Sequence, residues 1–255
     1  MSRPAAPTRL DPDLVLRAYA MSVFPMADSR DAEGVYWVEP KHRAILPLDR
    51  FHLSRSLRKT IAHDRFRVTA DAAFERIIAL CAEPSGDRED TWINPSIEEV
   101  FVTLHARGFA HSIEVWDGDQ LAGGLYGLAL GRAFFGESMV SRARDASKVA
   151  LAWLVARLRV GGFALLDCQF QTEHLASLGA IEVPRANYNA LLGAALGTTA
   201  GGLATGAPSV DGDWGALDRL RVPRSPPPPE GAAEKVTVSG PVAGKDIVQL
   251  LGHTS

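Results

Sequence analysis

The stretch from His111 to Arg185 constrains the fold more than any other part of the chain. Ile113, Val115 and Leu121 alternate with polar or small residues on either side of Asp117-Gly118-Asp119. A period of two around such a turn predicts a β-hairpin. Gly123, Gly124, Gly127 and Gly131 punctuate the next apolar run and point to backbone lying close to a ligand or to other backbone. Ala133 to Val140 reads as a third strand, carrying Phe134, Phe135, Glu137 and Met139. Val149, Ala152, Trp153, Ala156 and Leu158 then recur at helical spacing, which predicts a helix over 145–160 ended by Gly161-Gly162. Phe163 to Phe170 reads as a buried strand with Asp167 and Gln169 near its end. Three strands, a helix and a further strand make a mixed sheet with one crossover, hence an α+β fold.

The flanks divide into two units. Upstream, Asp11-Pro12 opens a short helix over 10–20, and Val35 to Leu46 reads as two extended pieces around Glu39-Pro40. Residues 1–60 are expected to form a small N-terminal subdomain, and 61–200 the main domain. Helices are expected over 54–63, across that boundary, and over 71–82 (capped by Asp71), 96–107, 174–178 and 187–196, with strands over 65–69 and 181–183. Beyond Gly197 the chain reads GTTAGGLATGAPS and later SPPPPEGAAEK. Such segments bury little apolar surface, so 201–255 is expected to be a mostly disordered tail, with a turn of helix over 246–251.

Composition narrows the function classes. At 255 residues with 46% apolar and 22% charged residues, the chain is globular in type. No apolar run approaches ~20 residues, so no spanning helix and no membrane partner is expected. MSRPAAPTRL lacks the apolar segment of a secretory signal. Cys81 and Cys168 are too few for a disulfide framework or a zinc site, so no metal is expected and a reducing cytoplasm is the simplest location. The net charge of −3 hides an asymmetry. Lys41 to Arg67 holds eight basic and two acidic residues, and a second basic group contains Arg142, Arg144, Lys148, Arg157 and Arg159. Such groups either hold phosphates or form an ordinary solvated face.

Several residues carry chemistry. Asp167 lies in apolar ALLDCQF, where a carboxylate must be paired or hydrogen-bonded. It is either a structural acid or a base with a perturbed pKa. Gln169, two residues on, projects from the same face, and an acid beside an amide can hold an amine. Cys168 points to the other face and reads as a small buried hydrophobe rather than a nucleophile, with His174 as a capping group. Glu137 in FFGESM either pairs with Arg132 or Arg142, or faces a cationic or amine substrate. Leu125, Phe134, Met139, Leu154 and Leu166 read as core residues. Trp37 and Trp92 are core or, near basic residues, surfaces on which a base stacks.

The blocks GGLYG, GESMVSR, ASK, LLDCQ and HLASLGAIEVPR, with VYWVEPKHRAIL and TWI upstream, resemble the leucyl/phenylalanyl-tRNA–protein transferases over roughly residues 10–192. The resemblance implies a GNAT-like (acetyltransferase-type) domain. It also implies transfer of leucine or phenylalanine from aminoacyl-tRNA to the N-terminal amine of proteins beginning with Lys or Arg, which tags them for degradation, with no cofactor. It implies that Asp167 and Gln169 are the catalytic pair and Glu137 an acceptor-side charge. Leu125, Phe134, Met139, Leu154 and Leu166 then line an aminoacyl pocket, although Leu154 and Leu158 stand where aromatic residues can occur in that family. Trp37 or Trp92 would meet the terminal adenosine, and Arg142 and Lys148 the acceptor-stem phosphates. Two other classes fit parts of the sequence. An acyl-CoA N-acetyltransferase shares the fold, but SRARDASK lacks the glycine of a pyrophosphate loop. A non-catalytic RNA-binding protein explains the basic stretches but not Asp167 and Gln169 in a strand.

Overall fold

The computed structural model describes residues 9–84, 90–197, 211–220 and 242–252. The chain opens with α1 (Pro12–Ala20), whose first turn is closed by the Asp11 carboxylate accepting from the Asp13 amide at 2.8 Å. Val15 and Tyr19 are its buried face. β1 (Phe24–Met26) and β2 (Tyr36–Val38) pair as an antiparallel ribbon apart from the main sheet. β3 (His42–Ile45) and α2 (Arg55–Ala62) follow, the latter capped by Ser54. Next come β4 (Arg67–Ala70), α3 (Phe74–Ala82) and α4 (Pro95–Ala106), which Asn94 caps by accepting from the Ile97 amide at 3.0 Å.

The predicted hairpin is present as β5 (Ala110–Asp117) and β6 (Gln120–Leu130), followed by β7 (Ala133–Ser141), α5 (Ala146–Val160) and β8 (Leu165–Gln169). Then α6 (Glu173–Ser177), β9 (Ile181–Pro184), α7 (Arg185–Leu196) and, further on, α8 (Gly244–Gly252) complete the described elements. The main sheet has seven strands in the order β4-β5-β6-β7-β8-β3-β9. Every neighbouring pair is antiparallel except β7 and β8, which α5 joins as a crossover. Helices cover both faces. One core gathers the buried side of α5 with Leu57, Ile61, Ile247 and Leu251, the other the buried sides of α1, α3, α4 and α7.

β7 and β8 pair over only three positions, Ala133–Phe135 with Leu165–Asp167. β7 also carries an irregularity opposite Tyr126 and Gly127, which leaves Glu137 without a register partner on β6. Beyond this point the two strands part, and their parting opens the sheet.

The glycines of β6 serve packing rather than a ligand. A Cβ on Gly124 would lie 2.4 Å from both Ile77 Cδ1 and the Ile113 carbonyl. One on Gly127 would lie 2.4 Å from the Phe134 ring.

Two expectations are corrected. A unit ending at residue 60 would cut β3 out of the sheet, where Ala44 and Ile45 are buried between β8 and β9. Asp71 does not cap α3. It adopts φ +57°, and its carboxylate accepts from the Ser112 amide, pairs with His111 and receives the Trp214 indole N–H, each at 2.8 Å. Within 201–255 the described residues are 211–220 and 242–252, and α8 spans the turn of helix expected over 246–251. Trp214 stacks on His111 at 4.3 Å and on Phe134 at 5.4 Å, and Leu217 is buried. α8 sits against α2 and α5, where Ile247 and Leu251 enter the core. A few apolar anchors dock these segments, and the average Gly and Pro content conceals them. The GTTAGGLATGAPS and SPPPPEGAAEK runs lie outside the described residues, apart from Gly197.

Candidate active site

A cavity of about 300 Å³ opens where β7 and β8 part. Leu125, Met139, Leu151, Leu154, Leu166 and Leu175 wall it from the α5 side of the sheet. Phe24, Met26 and Trp92 wall it from the other side. Phe170, 46% exposed, meets Phe24 edge-on at 5.8 Å. Glu137 and Gln169 supply a polar end, with Gln169 Nε2 donating to Glu137 Oε1 at 3.1 Å.

Four of the five residues expected in an aminoacyl pocket therefore line one cavity: Leu125, Met139, Leu154 and Leu166. Phe134 does not. It is fully buried on the same α5 side of the sheet, nearer the start of β7, and stacks on Trp214 instead. Trp92 is a cavity wall, whereas Trp37 sits on β2 and is 38% exposed. Cys168 also lines the cavity, and burial pushes its thiol far above its ordinary range, so it stays protonated. Burial, with Lys148 nearby, lowers the pKa of the cavity-lining His174 and favours its neutral form.

Glu137 pairs with neither Arg132 nor Arg142. It lies deep beside Tyr19 and Asp167, and burial raises its pKa from 4.5 to about 8. The Tyr19 hydroxyl faces it without a well-formed hydrogen bond. Such a carboxyl exchanges its proton near neutral pH.

Asp167 is a different kind of acid. It is fully buried and is not a cavity wall. The guanidinium of Arg43, itself 1% exposed, grips it in a fork, with Nε to Oδ1 at 3.0 Å and Nη2 to Oδ2 at 2.6 Å. The Tyr188 hydroxyl donates to Oδ2 and the Gln169 amide to Oδ1, each at 2.8 Å. These bonds occupy the carboxylate's acceptor capacity. Of the two readings open for Asp167, structural acid or base, its surroundings are those of a carboxylate held in an ion pair. The sequence did not reveal Arg43, because it lies 124 positions from Asp167 in a stretch read only as basic.

The basic groups divide in the same way. Arg157 is buried, forks onto Asp218 at 2.6 Å and donates to the Trp214 carbonyl, while Arg159 donates to the carbonyls of Leu48 and Leu250. Both hold the C-terminal segments rather than facing a phosphate. Arg142 pairs with Glu83, and Lys148 lies 3.4 Å from Asp145. Lys59, His63 and Arg65 line one groove together with Arg144, whose side chain is 93% exposed. The groove brings both basic stretches to one place.

Known proteins match most of this chain. Residues 45–193 match the family model described as leucyl/phenylalanyl-tRNA protein transferase, and residues 8–41 match the model of that family's N-terminal domain. The chain is 61% identical over 249 residues to a leucyl/phenylalanyl-tRNA–protein transferase of Rhizorhabdus wittichii, covering 96% of this chain and 99% of that one. It is 59% identical over 211 residues to the Zymomonas mobilis protein of that name, covering 83% and 76%. It is 56% identical over 195 residues to that of Afipia carboxidovorans, covering 76% and 86%. With both models matched and such relatives, the chain belongs to the leucyl/phenylalanyl-tRNA protein transferase family.

Proposed function

We propose that this chain moves a leucyl or phenylalanyl group from charged tRNA to the N-terminal amine of a protein beginning with Lys or Arg, and that the cavity between β7 and β8 is where it does so. The observation that carries this reading is an apolar cavity of side-chain size with a carboxyl–amide pair at its polar end. The parting of two parallel strands beside a crossover helix supports a GNAT-like assignment for the sheet. Two free cysteines and no described helix long and apolar enough to cross a membrane fit a cytoplasmic protein.

The reaction is aminolysis of an ester. The amine nitrogen bonds to the aminoacyl carbonyl carbon, the ester C–O bond breaks, and the tRNA ribose oxygen leaves with a proton. The amine must first be neutral, and a free α-amine has a pKa of about 8. Glu137, rather than Asp167, is placed to take its proton, since it lines the cavity and titrates in the same range. Such matching favours general base assistance, worth roughly 10²–10⁴-fold. The Gln169 amide oxygen then holds the amine and its Nε2 fixes the Glu137 oxygen. Leu125, Met139, Leu154 and Leu166 receive the aminoacyl side chain. Trp92, already a cavity wall, is the surface for the terminal adenosine, and Trp37 is placed outside. Lys59 and Arg144 of the basic groove grip acceptor-stem phosphates, with Arg142 and Lys148 contributing once released from Glu83 and Asp145.

The test is transfer of labelled leucine or phenylalanine from charged tRNA to peptides that differ only in their first residue. Transfer to Arg- and Lys-peptides, and none to a Glu-peptide, is expected. Equal transfer to all three would remove the acceptor specificity, and no transfer to any would remove the function.

A further inference from the structure

Gln169 has φ +55°, the left-handed region that side chains other than glycine rarely adopt. In Gln169 the cost is offset by one contact in particular: its amide donates to Asp167 Oδ1 at 2.8 Å. That carboxylate cannot swing away, because Arg43 grips both of its oxygens and Tyr188 donates to Oδ2. Arg43 is held in turn. Nη1 reaches the Ser22 carbonyl at 3.3 Å, and its guanidinium lies 4.5 Å from the Phe24 ring centre and 4.8 Å from that of Tyr188. Ser22 itself sits at φ +68° and is buried. The chain of contacts thus runs from the turn after α1, through Arg43 and Asp167, to the backbone of Gln169 and from its side chain to Glu137.

We infer that Arg43, with Tyr188, is a positioning residue for the transfer step: through Asp167 it holds Gln169 in its left-handed turn and so aims the side-chain amide at Glu137 across the cavity. This rests on the reading of Gln169 and Glu137 as the groups that meet the amine. A buried ion pair is weak evidence of stabilisation, since an apolar replacement of similar volume is often as stable. Its retention at this point is explained by geometry. The planar fork fixes the carboxylate plane, whereas a lysine ammonium in its place would satisfy the charge and leave the plane free.

The experiment uses the full chain and the variants Arg43→Lys, Tyr188→Phe and Gln169→Ala. Thermal melts identify which remain folded at the assay temperature. Transfer from leucyl-tRNA to an Arg-peptide is followed at saturating peptide over a range of leucyl-tRNA concentrations. Arg43→Lys is expected to lower kcat at least tenfold and Tyr188→Phe about threefold, with the KM for charged tRNA unchanged within twofold. The pH midpoint of kcat stays put in Arg43→Lys, because the positive charge remains. In the Gln169→Ala background Arg43→Lys should bring no further loss, because both act on one element. Wild-type kcat in folded Arg43→Lys, or losses that multiply in the double variant, would overturn the inference while leaving Gln169 in place. A Gln169→Ala variant as fast as wild type would instead sink the reading beneath it. If Arg43→Lys melts below the assay temperature, Tyr188→Phe, alone and combined with Gln169→Ala, decides by the same two criteria.

Discussion

Replacing Glu137 by Gln separates the carboxyl's charge from its shape. The amide oxygen of the new side chain still accepts from Gln169 Nε2, so the 3.1 Å contact survives. What disappears is a group whose pKa is raised from 4.5 to about 8, chiefly by burial. The sign follows from linkage. Between those two values the folded protein keeps a proton that the unfolded chain has released, so stability falls as pH rises. It is highest below pH 4.5 and fully reduced above pH 8. Each pH unit in the window removes about 1.4 kcal/mol. Cavity water screens part of the cost at a side chain that is only partly covered, so the total is about 3–5 kcal/mol. Urea unfolding of both proteins, from about pH 5 to about pH 9, isolates this group as the difference between two curves. The variant should match or fall slightly below wild type in acid and exceed it by about 3–5 kcal/mol in alkali. Parallel curves would refute the claim that Glu137 titrates late. The same variant should lose at least tenfold in transfer rate, and the wild-type rate should climb to a plateau above pH 8. A variant as active as wild type would leave the proton without an acceptor at Glu137.

Asp167→Asn should cost about 3–5 kcal/mol by urea unfolding, since it strands the buried Arg43 charge; a cost below about 1 kcal/mol would show that the pair contributes little to stability. Trp214→Ala should lower stability by about 2–4 kcal/mol through lost stacking on Phe134 and His111, and an unchanged melting temperature would show that residues 211–220 are not docked. Leu154→Phe fills part of the cavity, so the ratio of phenylalanyl to leucyl transfer should fall at least fivefold; an unchanged ratio would place the donor side chain elsewhere. Lys59→Ala with Arg144→Ala should weaken charged-tRNA binding and reduce its salt slope by about two, and an unchanged slope would clear the groove of that role.

Local signals were legible in the sequence, and long-range ones were not. The turn at Asp117-Gly118-Asp119, the Asp11-Pro12 helix start and the stop at Gly161-Gly162 each depend on a few adjacent residues, and each lies where the pattern predicts. Asp167 and Gln169 were recognisable as costly residues in an apolar strand. Which of them meets the cavity depends on how far β7 and β8 stay paired, and no residue pattern states that distance. Arg43 was hidden because an arginine reads the same whether it faces water or a carboxylate 124 positions away. Arg157 and Arg159 were hidden for the same reason, their partners lying in the C-terminal segments. Gly124 and Gly127 announced close approach, but only the packing of Ile77 and Phe134 shows what approaches.

The place of β3 between β8 and β9 has a consequence for biosynthesis. β3 is among the first strands made, yet both of its neighbours are made last, and contacts across such distances form slowly. At translation rates of roughly 5–20 residues per second, Arg43 waits about 6–25 s for Asp167 to be synthesised. During that interval the arginine has no carboxylate to pair with. Because Gln169 ends β8, the polar end of the cavity is completed only late in synthesis.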